Sequence, residues 1–591
     1  MFNEKYRKIL LFSYMNVIIT LFIRSYIPIY WQIGRFFSVL SGFSILFVSG
    51  YWITNFLKVN EEEDLKKDSK LGINLFNISL ILAAGLTLST LTVVSSILLI
   101  GFFSNELFYI FLLVITLIYL PSLKDIEWRN SIKNRNLEWI NQVKNKVILK
   151  FNPNFIIIVI GVIIWFFGCT LDPILIYRIG LNRIQIQMFS FLLIFFASIY
   201  SIRSKNNWTT LISIFLLLLF TRICIYQEEF IIGSDSTTHY ERFLQISENP
   251  QVMFDLVPIN LFAPITYSWM IFLNIYGNDY IIPFSFILLS CFAYMCIYAL
   301  GIKLTSFKIA SIGLLFSTIE FTTFQFGFEI RTFTIALMYI ALWAHSLFEF
   351  KERKQNQVIH MLLLALIGLS HITSFLIILL IEGCLSLFFL IEKLNDVLFQ
   401  GTIILSKFPI TTQLILFLSP IFLILSFSFY YSNESIKWII DVLLNRNPIY
   451  YISFDLNRIP GLSSAIYGPI GMIIIWLSRI SFMIVILFAF VIHPKNLTRF
   501  TKYLRILIED PLSRLLIYIV FSLSLIFFIT LFIPEVLSPS RIYVLLVLPM
   551  GFLLGLSEKS LNKKTNYYTG IICFLFLLNT LIRFPNYFKM V

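Results

Sequence analysis

Four short polar stretches interrupt an otherwise apolar chain, and they hold the residues whose types could do chemistry. Ile232 to Phe243 carries Asp235, His239 and Arg242, and Phe326 to Phe333 carries Glu329 and Arg331. Gly368 to Thr373 carries His371, and Glu535 to Tyr543 carries Arg541. A carboxylate can take a proton from a hydroxyl or ligate a cation. A guanidinium holds anionic oxygens through forked hydrogen bonds. Steps of four and then three residues from Asp235 to His239 to Arg242 put all three on one face of a helix.

Each residue also has a plainer reading. Asp235 could cap the helix that begins near Thr237, because Asp is a preferred cap. Glu329 and Arg331 could be a local ion pair at a helix start. His371 could be a satisfied polar corner between two helices, and Arg541 could snorkel to lipid headgroups.

The elements that must position these residues are membrane-spanning helices. Hydrophobic residues make up 58% of the 591 and charged residues 13%, about half the charged fraction of soluble domains. Mean hydropathy is +0.85. The apolar residues fall in blocks of roughly 20, the length that crosses a bilayer core of about 30 Å. In lipid, helices satisfy their own backbone, which predicts an all-α polytopic membrane protein. About 17 transmembrane spans are expected at this block length. They run near 9–23, 36–57, 73–101, 106–121, 155–177, 187–201, 208–227, 281–302, 307–323 and 332–349. Residues 358–391 hold two more, folded back at Gly368–Ser374, and the last five lie near 411–430, 467–491, 514–533, 540–556 and 566–582.

Charge orients the spans. With the N-terminus in the cytoplasm, roughly two thirds of the Lys and Arg fall in inside loops, as positive-inside bias requires. The linker 122–153 alone holds Lys124, Arg129, Lys133, Arg135, Lys144, Lys146 and Lys150. The net charge of +13 therefore reads as loop charge and not as a nucleic-acid surface. All four polar stretches come out on the extracytoplasmic face. Charges gathered at one membrane level are costly unless they face a wet cavity or bind something. The six cysteines lie in or beside apolar blocks with no CxxC pair, so they read as small core residues. Lys5, Arg7 and Lys8 precede the first apolar run with no small-residue cleavage site after it, which predicts a retained first span. Glu434 to Asn445 alternates apolar and polar residues at helical spacing, which predicts an interfacial helix on the outer face, with Tyr450, Tyr451 and Arg458 near substrate.

At the polar stretches the chain resembles the GT-C superfamily of membrane glycosyltransferases. Gly233, Asp235, His239 and Arg242 match a Gly-x-Asp-x-x-x-His-x-x-Arg pattern like that of archaeal oligosaccharyltransferases. Glu329 and Arg331 resemble a Glu-x-Arg motif of the protein mannosyltransferase and aminoarabinose transferase branch. Arg541, Tyr543 and Pro549 are similar to its late Arg-Tyr stretch. The resemblance covers about 207–556 and divides the chain into an accessory bundle, 1–206, and a GT-C-like catalytic core, 207–591. The chain lacks the Asp-Glu pair of protein mannosyltransferases in its first outer loop and the Asp-x-Asp or Asp-x-Glu of oligosaccharyltransferases in its second. It also lacks a Trp-Trp-Asp acceptor motif.

The resemblance implies sugar transfer from a polyprenyl-phosphate-linked donor to a protein, lipid or glycan acceptor at the outer face of the cell membrane. Asp235, Glu329 and His239 are then the candidate catalytic residues. Arg331, Arg541, His371 and Arg242 are the candidates for the donor phosphate, with His371 assisting when protonated. These residues make no cofactor certain, and Asp235 could instead ligate a divalent metal, Mg or Mn. Membrane lipids are the surrounding partners. The alternatives are a multi-span transporter or lipid flippase, which would place charges nearer the bilayer midplane, and a lipid-linked polysaccharide polymerase or ligase. Glu320, Glu382 and Arg479 are ionisable residues inside or near span ends that the first alternative would use.

Overall fold

The computed structural model describes residues 13, 15, 44, 46–51, 77–88, 153–170, 183–204, 206–223, 240, 241, 243–245, 248, 281–304, 306–319, 332–349, 354–399, 518–526 and 545. Among these the chain is helical, with no strand. Eight full helices are described: α1 (Pro153–Thr170), α2 (Arg183–Arg203), α3 (Asn207–Ile223), α4 (Ile281–Leu304), α5 (Phe307–Ile319), α6 (Thr332–Glu349), α7 (Lys354–Ser370) and α8 (Ile372–Phe399). The apolar periodic runs set their positions, and α6 has the bounds read from the sequence, 332–349. Pro153 opens α1, the helical position where its missing N–H costs nothing. Pro283 lies in the first turn of α4, where the same reason makes it harmless.

Three tight hairpins organise the bundle, and each reversal is marked by a residue that caps the following helix. Between α2 and α3 the Asn206 side-chain oxygen accepts the Thr209 N–H at 3.3 Å. Between α4 and α5 the Ser306 hydroxyl oxygen accepts the Ile309 N–H at 3.3 Å. Between α7 and α8 the cap is His371, whose Nδ1 accepts the Ser374 N–H at 3.1 Å. Each contact satisfies one of the amide donors that every helix start leaves open.

Packing joins the helices in sequence and across it. Gly161 of α1 meets the Ile194 side chain of α2, and the Ser190 hydroxyl donates to the Gly161 carbonyl at 2.5 Å. Trp165 of α1 stacks on Phe220 of α3 at 4.4 Å and 9°, so helices on either side of residue 206 share a face. α3 packs on α4 and α5, and α4 packs on α6. The hydroxyls of Tyr298 and Ser311 meet at 2.9 Å between α4 and α5. Thr87, in the helical segment Asn77–Leu88, meets the hydroxyl of Tyr339 on α6 at 3.3 Å. That segment crosses 46–51 where Gly50 and Gly85 face backbone of the opposite helix. Tyr294, Tyr298, Tyr339, Phe195 and Phe243 are the largest fully buried side chains.

The outer surface of α1 is apolar. Phe155, Ile156, Ile157, Val159, Ile160 and Ile163 are exposed on a helix without a charged residue. On α2 the exposed residues include Phe189, Phe196 and Tyr200. Among the described residues, Ile186–Arg203 is the one stretch long and apolar enough by length and composition to cross a membrane, and the other apolar helices are shorter.

Candidate functional site

Of the seven candidate residues in the four polar stretches, His371 is described. Asp235, His239, Arg242, Glu329, Arg331 and Arg541 lie outside the described residues, as do the linker 122–153 and the segment 431–466.

His371 is buried at the α7–α8 reversal. Its own N–H closes α7 on the Ile367 carbonyl at 2.8 Å, and its carbonyl accepts the Phe375 N–H at 3.1 Å as α8 begins. Nδ1 takes the Ser374 N–H and lies 2.7 Å from the Ser374 hydroxyl. A nitrogen that accepts a backbone N–H cannot carry a proton itself. The ring proton of the neutral imidazole is therefore on Nε2. Any donation to an anionic oxygen runs through that nitrogen and needs no positive charge on the ring. Protonating Nδ1 would break the cap.

The plainer reading of His371 as a polar corner is thus met in part, and it leaves a question of residue choice. Asn206 and Ser306 do the same structural work with side chains that helix starts favour. Histidine is not among the favoured caps. What it adds over Asn or Ser is a second ring nitrogen.

The ring of His371 meets the ring of Phe333 edge-on, with centroids 5.7 Å apart and planes at 77°. Phe333 ends the second polar stretch and is the second residue of α6. The third stretch therefore packs on the helix start that directly follows Glu329 and Arg331 in sequence. In the first stretch, the described residues Tyr240, Glu241 and Phe243 are helical, as is Leu244 just after it. Phe243 is completely buried and anchors this helix, with the Tyr240 ring 5.8 Å away. From the fourth stretch onward, Leu545 is described, helical and buried.

A second polar cluster lies far from this level, and the sequence reading named only one of its members. Glu382 of α8 is buried, and its Oε1 accepts the Trp343 indole N–H of α6 at 2.7 Å. The same Oε1 lies 2.7 Å from Nε2 of His360 on α7, with both side chains fully buried. The two ring nitrogens reach Oε1 differently. Trp343 donates a hydrogen bond, whereas Nε2 of His360 lies within ion-pair distance. Nδ1 of His360 is 2.7 Å from the Ser346 hydroxyl, which donates to the Trp343 carbonyl at 2.7 Å. Between Trp343 and Ser346 in sequence, Nε2 of His345 is 2.7 Å from the carbonyl of Cys296 on α4. A signal for this cluster existed in the sequence. His360 lies 11 residues before His371 and Glu382 lies 11 after it. In a hairpin folded at His371 those two residues must share a depth.

Among the described residues, no three His, Cys, Asp or Glu side chains gather as a metal site. Cys291 and Cys296 are buried thiols and Cys384 is a half-buried one. No protein-family model matches the chain, and neither a curated protein nor a solved structure is detectably similar to it.

Proposed function

We propose that the chain is a polytopic membrane glycosyltransferase that moves a sugar from a polyprenyl-phosphate donor to an acceptor on the extracytoplasmic face. The observation that carries this reading is the packing of His371 on Phe333. It sets the His371 stretch against the start of the helix that follows Glu329 and Arg331, two of the polar features that the resemblance assigns to donor and acceptor. The use of His where Asn or Ser would cap equally well supports a role for Nε2. The exposed apolar residues of α1 and α2 support burial in lipid, because a helix like α1 that is apolar on its exposed side is stable only inside a large core or a bilayer. Roughly 17 spans, with the 350–357 loop cytoplasmic, complete the topology.

In this mechanism Asp235 takes the proton of the acceptor hydroxyl, with Glu329 as second candidate and His239 beside Asp235 on its helix face. The acceptor oxygen bonds to the sugar C1 as the C1–O bond to phosphate breaks, through an oxocarbenium-like state. The electron pair leaves with the polyprenyl phosphate. Arg331, Arg541 and Arg242 hold the phosphate oxygens by charge-assisted hydrogen bonds, with His371 donating from Nε2. A divalent cation bound at Asp235 would make that carboxylate a ligand instead of a base, and a chelator separates the two roles.

The test is transfer from radiolabelled polyprenyl-phosphate sugars by purified protein in lipid nanodiscs. Transfer that depends on Asp235 supports the proposal. A transporter or flippase is the second reading, and the buried pair of Glu382 and His360 favours it. No transfer with any lipid-linked sugar, together with measurable transport in proteoliposomes, would replace the first reading with the second.

A further inference from the structure

One face of α2 changes character steadily from its middle to its end. Phe189, Phe196, Tyr200 and Arg203 are all exposed there. Their steps of seven, four and three residues hold them within about 60° of one another, at about 100° per residue. Followed toward the α2–α3 reversal, the stripe is apolar at Phe189 and Phe196, amphipathic at Tyr200 and cationic at Arg203. α3 repeats the order from the other side of the reversal. Trp208 opens its exposed face, and Ile212 follows one turn deeper. Trp208 is 66% exposed, more than any other large hydrophobic side chain among the described residues. Water is a poor setting for so much indole surface. The boundary between lipid tails and headgroups suits it, because the ring has an apolar body and a polar tip.

The reversal is firmly built. The Ser204 N–H bonds to the Tyr200 carbonyl at 2.9 Å, the Asn206 N–H to the Ser201 carbonyl at 3.1 Å and the Thr210 N–H to the Asn206 carbonyl at 3.0 Å. With the Asn206 cap, these bonds fix the ends of the two exposed stripes relative to each other. No carboxylate occurs in 183–223, and the reversal carries Arg203 and Lys205 in sequence. α4 and α5 likewise lack carboxylates and bring Lys303 and Lys308 to their own reversal. α5 packs on α2 and α3. Two spans separate the reversals, so both face the same leaflet, since 228–280 is expected outside.

We infer that the α2–α3 hairpin docks a phospholipid of the cytoplasmic leaflet and prefers an anionic headgroup. The stripe matches such a molecule along its length. An acyl chain lies on Phe189 and Phe196, the ester region lies at Tyr200 and Trp208, and Arg203 takes the phosphate by charge-assisted hydrogen bonds. Depth agrees with this register. Ile186–Arg203 is 18 residues, about 27 Å at 1.5 Å per residue. Arg203 is thereby set at the headgroups of a bilayer whose core is about 30 Å thick. The neighbouring lysines add attraction for an anionic lipid surface. The inference rests on the membrane part of the proposed function and is independent of sugar transfer.

The test uses the full chain in two steps. Flotation with liposomes after an alkaline wash reports membrane insertion. Lipid titrations of the detergent-purified chain, followed by native mass spectrometry, then give the midpoint at which the first lipid is retained. Wild type should float, and it should retain phosphatidylglycerol at lower concentration than phosphatidylcholine. Arg203→Gln should float equally well but need about fivefold more phosphatidylglycerol, the worth of one basic residue at an anionic lipid surface. Spin labels on Phe189→Cys, Tyr200→Cys and Arg203→Cys, each in liposomes, should show oxygen contact falling and contact with a water-soluble nickel chelate rising in that order. Equal midpoints for the two lipids, or an unchanged midpoint in Arg203→Gln, in a chain that floats would overturn the docking site and leave the membrane reading intact. Equal water contact at positions 189 and 203 would also overturn it. A chain that does not float would overturn both. The comparison of two lipids on wild type decides even where a variant is not recovered.

Discussion

His371 stands edge-on to Phe333, 5.7 Å between ring centres, while its Nδ1 closes the first turn of α8. One imidazole thus joins two polar stretches that are separated by most of α6 and all of α7. Its cap and its second nitrogen can be tested apart. His371→Asn keeps a side chain able to cap and removes the Nε2 donor. Its thermal unfolding should stay near wild type, while transfer falls by about 10- to 100-fold, the equivalent of one hydrogen bond to a charged group. His371→Ala should lose the cap as well, at a further cost of about 1 kcal/mol in stability. Equal activity of Asn and wild type at matched protein level would reduce His371 to a structural corner.

Asp235→Asn preserves shape and hydrogen bonding but removes charge and basicity. Turnover should fall by about 100- to 10,000-fold, the usual contribution of a general base, with donor binding retained. Arg541→Ala should weaken donor binding instead, since it removes a phosphate partner. Donor titrations beside turnover measurements separate the two patterns, and near-normal transfer by Asp235→Asn would reject its assignment. If a chelator abolishes transfer by the wild type, Asp235 is a metal ligand.

Three glycines should respond differently to alanine. A Cβ on Gly85 would strike the Leu46 backbone, and one on Gly50 would strike the Ile81 carbonyl. Backbone cannot swing aside, so Gly85→Ala should destabilise by about 1–3 kcal/mol through overpacking. A Cβ on Gly383 meets nothing within 4 Å. Gly383→Ala in the middle of α8 should therefore stabilise by about 0.5–1 kcal/mol, the helical preference of Ala over Gly. Unfolding midpoints in one detergent check both substitutions. A harmless Gly85→Ala would mean that 46–51 and 77–88 do not cross at these glycines.

Topology predicts labelling. On a background with all six cysteines replaced, Asn130→Cys in the linker 122–153 should be silent to an impermeant thiol reagent in intact cells. Ser236→Cys should react, because 228–280 is expected outside. The prediction follows from the distribution of Lys and Arg. Labelling of position 130 from outside would invert the orientation and with it the assignment of an outer-face site.

What the sequence determined by itself is the helical character of the described chain and roughly where its described helices lie. A run of about 20 apolar residues must satisfy its own backbone, so its length and its flanking polar residues set where a helix lies. α6 at 332–349 and the reversal within Gly368–Ser374 were readable for that reason. The hairpin caps Asn206 and Ser306 are likewise residue types that helix starts favour. Glu382 stood out as a charge in an apolar run, but its partners did not. Trp343, Ser346 and His360 come from two other helices, and no local pattern states which faces turn toward one another. Helix rotation and depth decide that, and both are set by packing across the whole bundle. The tautomer of His371 had the same character. A histidine in a bend has two nitrogens, and only the fold around it, by presenting the Ser374 N–H to Nδ1, decided which one caps the helix.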